Sequence, residues 1–113
     1  MSDQADSLVT RLTPYREIPG ISAALLISHD GFVVAADTEP GFAADAVAAQ
    51  AAGAIDMGAR LAGELGQPQA KYISLEFDAL NVVLAPFGDE LMLVLVGEPG
   101  ALICQYRLNK TGA

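Results

Sequence analysis

Ser28, His29 and Asp30 follow one another in the stretch "LLISHDGFVV", and His29 is the only histidine of the chain. These are the residue types of a hydrolase relay, in which nucleophile, base and orienting acid link through hydrogen bonds of roughly 2.6–3.2 Å. Their adjacency forbids the relay. Neighbours on a strand point to opposite faces, so Ser28 and His29 diverge, and Asp30 falls in a turn. The other chemically capable residues are scattered. Asp37 with Glu39, and Asp89 with Glu90, lack the Asp/Asn-Gly-Glu loop that calcium coordination requires. "GELGQPQAK" has the letters of a phosphate-binding loop without its spacing, and no GxGxxG is present. Cys104 is the single cysteine, which excludes an internal disulfide and a cysteine-based zinc site within one chain. No base is placed to lower its pKa, so a buried structural thiol is expected. The reading is of a chain with no catalytic site, no metal and no cofactor, whose function lies in a surface.

The elements that position these residues follow from periodicity and turn chemistry. Residues 3–17 carry Leu8, Val9, Leu12 and Tyr15 at helical spacing, with Pro14 as a kink or break. Residues 21–28 and 32–37 read as strands. Asp30-Gly31 between them predicts a two-residue type I′ hairpin turn, pairing Ile27 with Val34 and Leu26 with Ala35. Both pairs are apolar although they lie on opposite faces, which predicts a sheet covered on both sides.

Residues 42–65 predict one long helix. Eight of the twelve residues from Ala43 to Ala54 are alanine, Gly66 is placed to cap the end, and Pro68 forbids continuation. Gly53, Gly58 and Gly63 lie within it, each at a cost of up to about 1 kcal/mol relative to Ala. Close approach of another backbone is one reason to keep them, and drift in an Ala/Gly-rich chain is another. Residues 70–77 alternate, with Tyr72, Ser74 and Glu76 on one face and Ile73, Leu75 and Phe77 on the other. Two more strands, 81–86 and 90–96, meet at Gly88-Asp89. Pro99 opens a last helix striped by Leu102, Ile103 and Tyr106.

Composition bounds the function. With 113 residues the chain makes a single domain, and 52% apolar residues supply a core. Fourteen acids against six bases leave a net charge of -8, which argues against nucleic acid and anionic membranes and favours a neutral or basic partner. The aromatic residues show no basic interleaving, so no platform for stacking nucleic-acid bases is expected. No run is long and apolar enough for membrane insertion, and residues 1–11 lack the apolar segment of a secretion signal. A cytoplasmic location is expected.

"EIPGISAALLISHDGFVVAAD" (residues 17–37) resembles the signature hairpin of the Roadblock/dynein light chain family, whose members commonly follow I-x-G-V-x-G-A-L-L-V-x-x-D-G-L-V-I-A. Ile18, Gly20, Ile21, Ala24 to Ile27, Asp30, Gly31 and Val33 to Ala35 match the pattern, and Ala23 departs from it where members often carry Gly. The resemblance extends over about residues 8–109. It implies an α+β fold, α-β-β-α-β-β-β-α, with a five-stranded antiparallel sheet in the order 2-1-5-4-3. The long second helix then lies on one face and the terminal helices on the other. It also implies a homodimer in which second helices and third strands meet, placing Gly53, Met57, Gly58, Tyr72, Ile73 and Ser74 at the interface. An alternating edge strand guarded only by Lys71 independently calls for a partner. Functionally, the resemblance implies a non-enzymatic scaffold and regulator of a Ras-like small GTPase that works without an arginine finger. Arg11, Arg16, Arg60 and Arg107 all fall on expected helices rather than in a loop. A structural adaptor of the same fold with no GTPase partner, and a small-ligand sensor, are the alternatives.

Overall fold

The structure is a computed structural model that describes residues 2–99, with side chains from residue 7 onward. The expected last helix and Cys104 lie outside the described residues. The elements run α1 (Ser2–Arg16), β1 (Ile21–Ser28), β2 (Val33–Thr38), α2 (Ala44–Glu64), β3 (Ile73–Glu76), β4 (Asn81–Phe87) and β5 (Leu91–Gly97). The strands form one antiparallel sheet in the order β2-β1-β5-β4-β3, as expected.

The central strands are apolar on both faces because both faces are covered. On one side α1 sets Leu12 against Ala24, Leu26, Leu93 and Leu95, with Leu8, Val9 and Tyr15 partly buried beside them. Burial raises the pKa of the Tyr15 phenol, and the nearby Arg11 charge partly opposes that. On the other side α2 covers Leu25, Ile27, Met92 and Val94, mainly through Ala48 and Ala51. Burying a leucine side chain contributes about 1.5–3 kcal/mol, so the large residues of β1 and β5 carry most of the core.

Pro14 does not split α1. It lies in the helix's last turn, is exposed, and removes a single backbone bond there. Arg16 ends the helix and ties it to the sheet, donating from Nε to Asp37 Oδ1 (3.2 Å) and from a terminal nitrogen to the Ile21 carbonyl (2.9 Å). At the far end of α2, Gly66 has φ +67°, and the Gln67 N–H reaches the Ala62 carbonyl at 2.9 Å while the Gly66 N–H reaches that of Gly63 at 3.2 Å. This is a Schellman cap, as the glycine's position predicts.

The first hairpin is a correction. Only Gly31 has positive φ (+90°), and no non-glycine among the described residues does, so Asp30 excludes a type I′ turn. The Gly31 N–H donates to the Ser28 carbonyl and the Ser28 N–H to the Phe32 carbonyl, both at 2.9 Å. This is a three-residue loop, a type I turn followed by a glycine bulge. Leu26 pairs with Ala35 as expected, but a second irregularity sets Ile27 against Val33 rather than Val34. The expected 70–77 strand is also shortened to four residues. Extending the register Ile73↔Leu84 backwards would set Lys71 opposite Pro86, which has no N–H to offer.

A candidate protein-interaction face

Ser28, His29 and Asp30 occupy one tight turn and form no relay. His29 and Asp30 are exposed, and the Ser28 hydroxyl accepts a hydrogen bond from the Phe32 N–H at 3.2 Å. Gly31 has a packing duty as well as a conformational one. A Cβ there would come within 3.2 Å of Ala49 Cα and 3.3 Å of Ala52 Cβ, so the hairpin end rests directly on the alanine surface of α2. Among the described residues, no group of three or more His, Cys, Asp or Glu side chains could hold a metal ion. No described helix is long and apolar enough to cross a membrane.

A different kind of feature lies along α2 and β3. Met57, Leu61 and Leu65 are 65%, 59% and 65% exposed, and Leu75 and Phe77 are 38% and 60% exposed. Met57, Leu61 and Leu65 recur every four residues, so they form one ridge on the helix. Leu75 and Phe77 alternate along the strand onto the same side of the sheet. Between ridge and strand runs an apolar groove of about 650 Å³, lined by Met57, Leu61, Leu65, Ile73 and Leu75 and rimmed by Lys71. A second groove of about 330 Å³ continues past Val47, Ala54, Leu75 and Phe77. The nearest ion pair on the helix, Arg60 to Asp56 at 3.0 Å, is solvent-exposed and contributes little.

The residues expected at an interface separate into three groups. Met57 and Gly53 face solvent, and nothing lies within 4 Å of a Cβ built on Gly53. Gly58 and Ile73 face each other inside one chain, since a Cβ on Gly58 would meet Ile73 Cδ1 at 3.0 Å. The missing side chain of Gly58 thus lets α2 approach its own β3. Tyr72 packs against the α1-side core. Ser74 shares its face by alternation, and its hydroxyl is buried without a partner, as is Asn81 Oδ1. Sequence reading missed Leu61, Leu65, Leu75 and Phe77 as surface residues. The available signal was an unbroken Met57-Leu61-Leu65 spacing beside, and not on, the stripe of Ala48, Ala51 and Ile55.

The Roadblock/LC7 domain family matches residues 9–97, from the middle of α1 to the end of β5. The chain belongs to the Roadblock/LC7 family. Solved structures agree in fold. A Roadblock/LC7 domain from Streptomyces avermitilis superposes with a TM-score of 0.76 at 22% identity, covering 93% of this chain and 88% of that one. The gliding protein MglB of Thermus thermophilus gives 0.75 at 24% identity over 94% and 79% of the two chains. Myxococcus xanthus MglB gives 0.76 at 15% identity over 96% and 81%. Comparison with curated proteins returned no match. Within the Roadblock/LC7 frame, the apolar ridge of α2 and the edge strand β3 flank the two apolar grooves, a patch of the kind that marks an interaction surface.

Proposed function

We infer that this Roadblock/LC7 protein is a non-enzymatic, cytoplasmic, homodimeric scaffold that binds and regulates a Ras-like small GTPase. The observation that carries the dimer is the exposed row of Met57, Leu61, Leu65, Leu75 and Phe77 beside the unpaired edge of β3. A two-fold axis at that edge would pair β3 with its copy and lay the two α2 ridges together. Family membership and the likeness in fold to MglB chains support the GTPase as partner. Arg60 lies on a helix and is paired with Asp56. As the family resemblance implies, any acceleration of hydrolysis would come from repositioning the GTPase's own groups rather than from an inserted arginine.

The test has two arms. Sedimentation of the full chain at micromolar concentration is expected to give twice the 11.7 kDa protomer mass, and a stable monomer would overturn the dimer. Pull-down of a small GTPase encoded beside this chain, loaded with GDP or with a non-hydrolysable GTP analogue, is expected to show state-dependent capture. A dimer that captures neither form would leave the adaptor reading in its place.

A further inference from the structure

The opposite edge of the sheet carries a separate surface. β2 is the last strand on its side, so the groups it turns away from β1 have no strand partner among the described residues. The Glu39 N–H donates to the Ser22 carbonyl, which fixes the alternation. With Ala24 opposite Asp37 and Leu26 opposite Ala35, the groups of Ala35, Asp37 and Glu39 face inward, and those of Ala36 and Thr38 face outward. An edge is usually guarded by Lys, Pro or a bulge. β2 contains no Lys, Arg or Pro, and its single guard is the irregularity at Val33–Ala35, which leaves Ala36 to Thr38 regular.

Apolar side chains stand in the open at this edge. Phe32 is 69% exposed and Val34 is 37% exposed. The surrounding charge is mainly acidic, with Arg16 on Asp37 as the cation at the strand itself. From Glu17 to Ala59 the chain has Glu17, Asp30, Asp37, Glu39, Asp45 and Asp56 and not one Lys or Arg. Asp37 is engaged by Arg16, but Asp30 and Glu39 are exposed at the two ends of the strand. This charge decides the occupant. Antiparallel pairing of β2 with a second copy through Ala36 and Thr38 would bring the acidic Asp37–Glu39 segments of the two copies towards each other, which is repulsive. An extended segment carrying Lys or Arg between apolar residues meets carboxylates at both ends, Phe32 and Val34 along its length, and the Ala36 and Thr38 backbone between them.

We propose that the β2 edge is a docking site for an extended basic-and-apolar segment of a partner protein, which adds to the sheet as a strand. The site is independent of the α2–β3 face and does not require the dimer. The probe is a fluorescein-labelled decapeptide alternating Lys and Val, with an alternating Glu–Val decapeptide as control. Binding to the full chain is followed by anisotropy, and the bound edge by amide hydrogen exchange. The Lys–Val peptide is expected to bind, to slow exchange at Ala36 and Thr38, and to weaken at least fivefold as salt rises from about 50 to 500 mM. Phe32→Ser with Val34→Lys should abolish that protection, and Asp30→Asn with Glu39→Gln should remove most of the salt dependence. Both pairs alter exposed residues, and circular dichroism checks that they fold. Equal binding of the Glu–Val peptide, absence of binding, protection of α2 or β3 in place of β2, or a change in oligomeric mass in the Phe32/Val34 variant would each overturn the proposal.

Discussion

The two edges of this sheet are built from the same backbone and finished differently. At β3 the strand is short and stands beside a helix whose ridge is left bare, so apolar surface accumulates around grooves of about 650 and 330 Å³. At β2 the strand is bulged, the neighbouring helix surface is used up by the hairpin glycine, and carboxylates replace the apolar ridge. The cause of the difference lies in α2. Its first half supplies alanines that accept Gly31 at close range. Its second half runs past the β1–β2 hairpin and supplies Met57, Leu61 and Leu65, which nothing in the chain covers among the described residues. One helix thereby gives the sheet a side that fits a large dry contact and a side that fits a charged, extended one.

Introducing charge on the ridge should separate the two edges most clearly. Met57→Glu with Leu61→Glu removes side chains worth about 1.5–3 kcal/mol each on burial. The proposed dimer should then weaken by at least about 100-fold, at 1.4 kcal/mol per factor of ten. Val34→Lys on the other edge should leave the mass unchanged, and sedimentation of both variants would show whether the edges differ as described. A change in the middle should injure the two sides alike. A Cβ on Gly97 would lie 2.8 Å from the Gly20 carbonyl oxygen, so Gly97→Ala is expected to cost about 1–3 kcal/mol in urea unfolding. An unchanged midpoint would mean that the Ile18–Gly20 turn yields freely.

Gly53→Ala gives a smaller effect with opposite signs in two assays. In the Met57/Leu61 double variant it should raise helix stability by up to about 1 kcal/mol, because the space around Gly53 is open. In the otherwise unaltered chain it should loosen the dimer if helices touch there. A gain in both settings would remove Gly53 from the interface. The smallest expected change is Asp37→Asn. Its ion pair with Arg16 is partly exposed, at 34% and 24% for the two side chains, so a loss of no more than about 1 kcal/mol is expected by thermal melting.

Element order and the two-sided core were legible because each rests on a strong periodic or turn signal, whereas the sheet order followed from the family resemblance alone. The β1 pattern is apolar on both faces, and the Gly66 cap is placed by a single residue type. What escaped reading was set by partners distant in sequence. The turn at Asp30-Gly31 carries the letters of a two-residue hairpin, yet only Gly31 takes positive φ, and the close approach to Ala49 and Ala52 requires a glycine there. β3 alternates from Tyr72 onward, but its length is limited by Pro86 on the next strand. Gly58 reads as a helix-contact glycine, and the contact it makes is with Ile73 of its own chain. The exposed ridge was the least legible part. A leucine in an apolar helix is ordinarily counted as core, and only the position of the sheet shows that Leu61 and Leu65 lie past its reach.

The strand order also sets a distance. In the proposed dimer two five-stranded sheets join at β3, which puts the two β2 edges at the outermost positions of ten strands. At about 4.8 Å per strand spacing, nine spacings separate them by roughly 43 Å along the sheet. A single chain bearing two basic segments could reach both only through a connector of at least about 13 extended residues. A shorter connector would leave one site empty or draw in a second dimer. Spacing, rather than the strength of either contact, would then decide whether a bivalent partner gains avidity on one dimer or cross-links several.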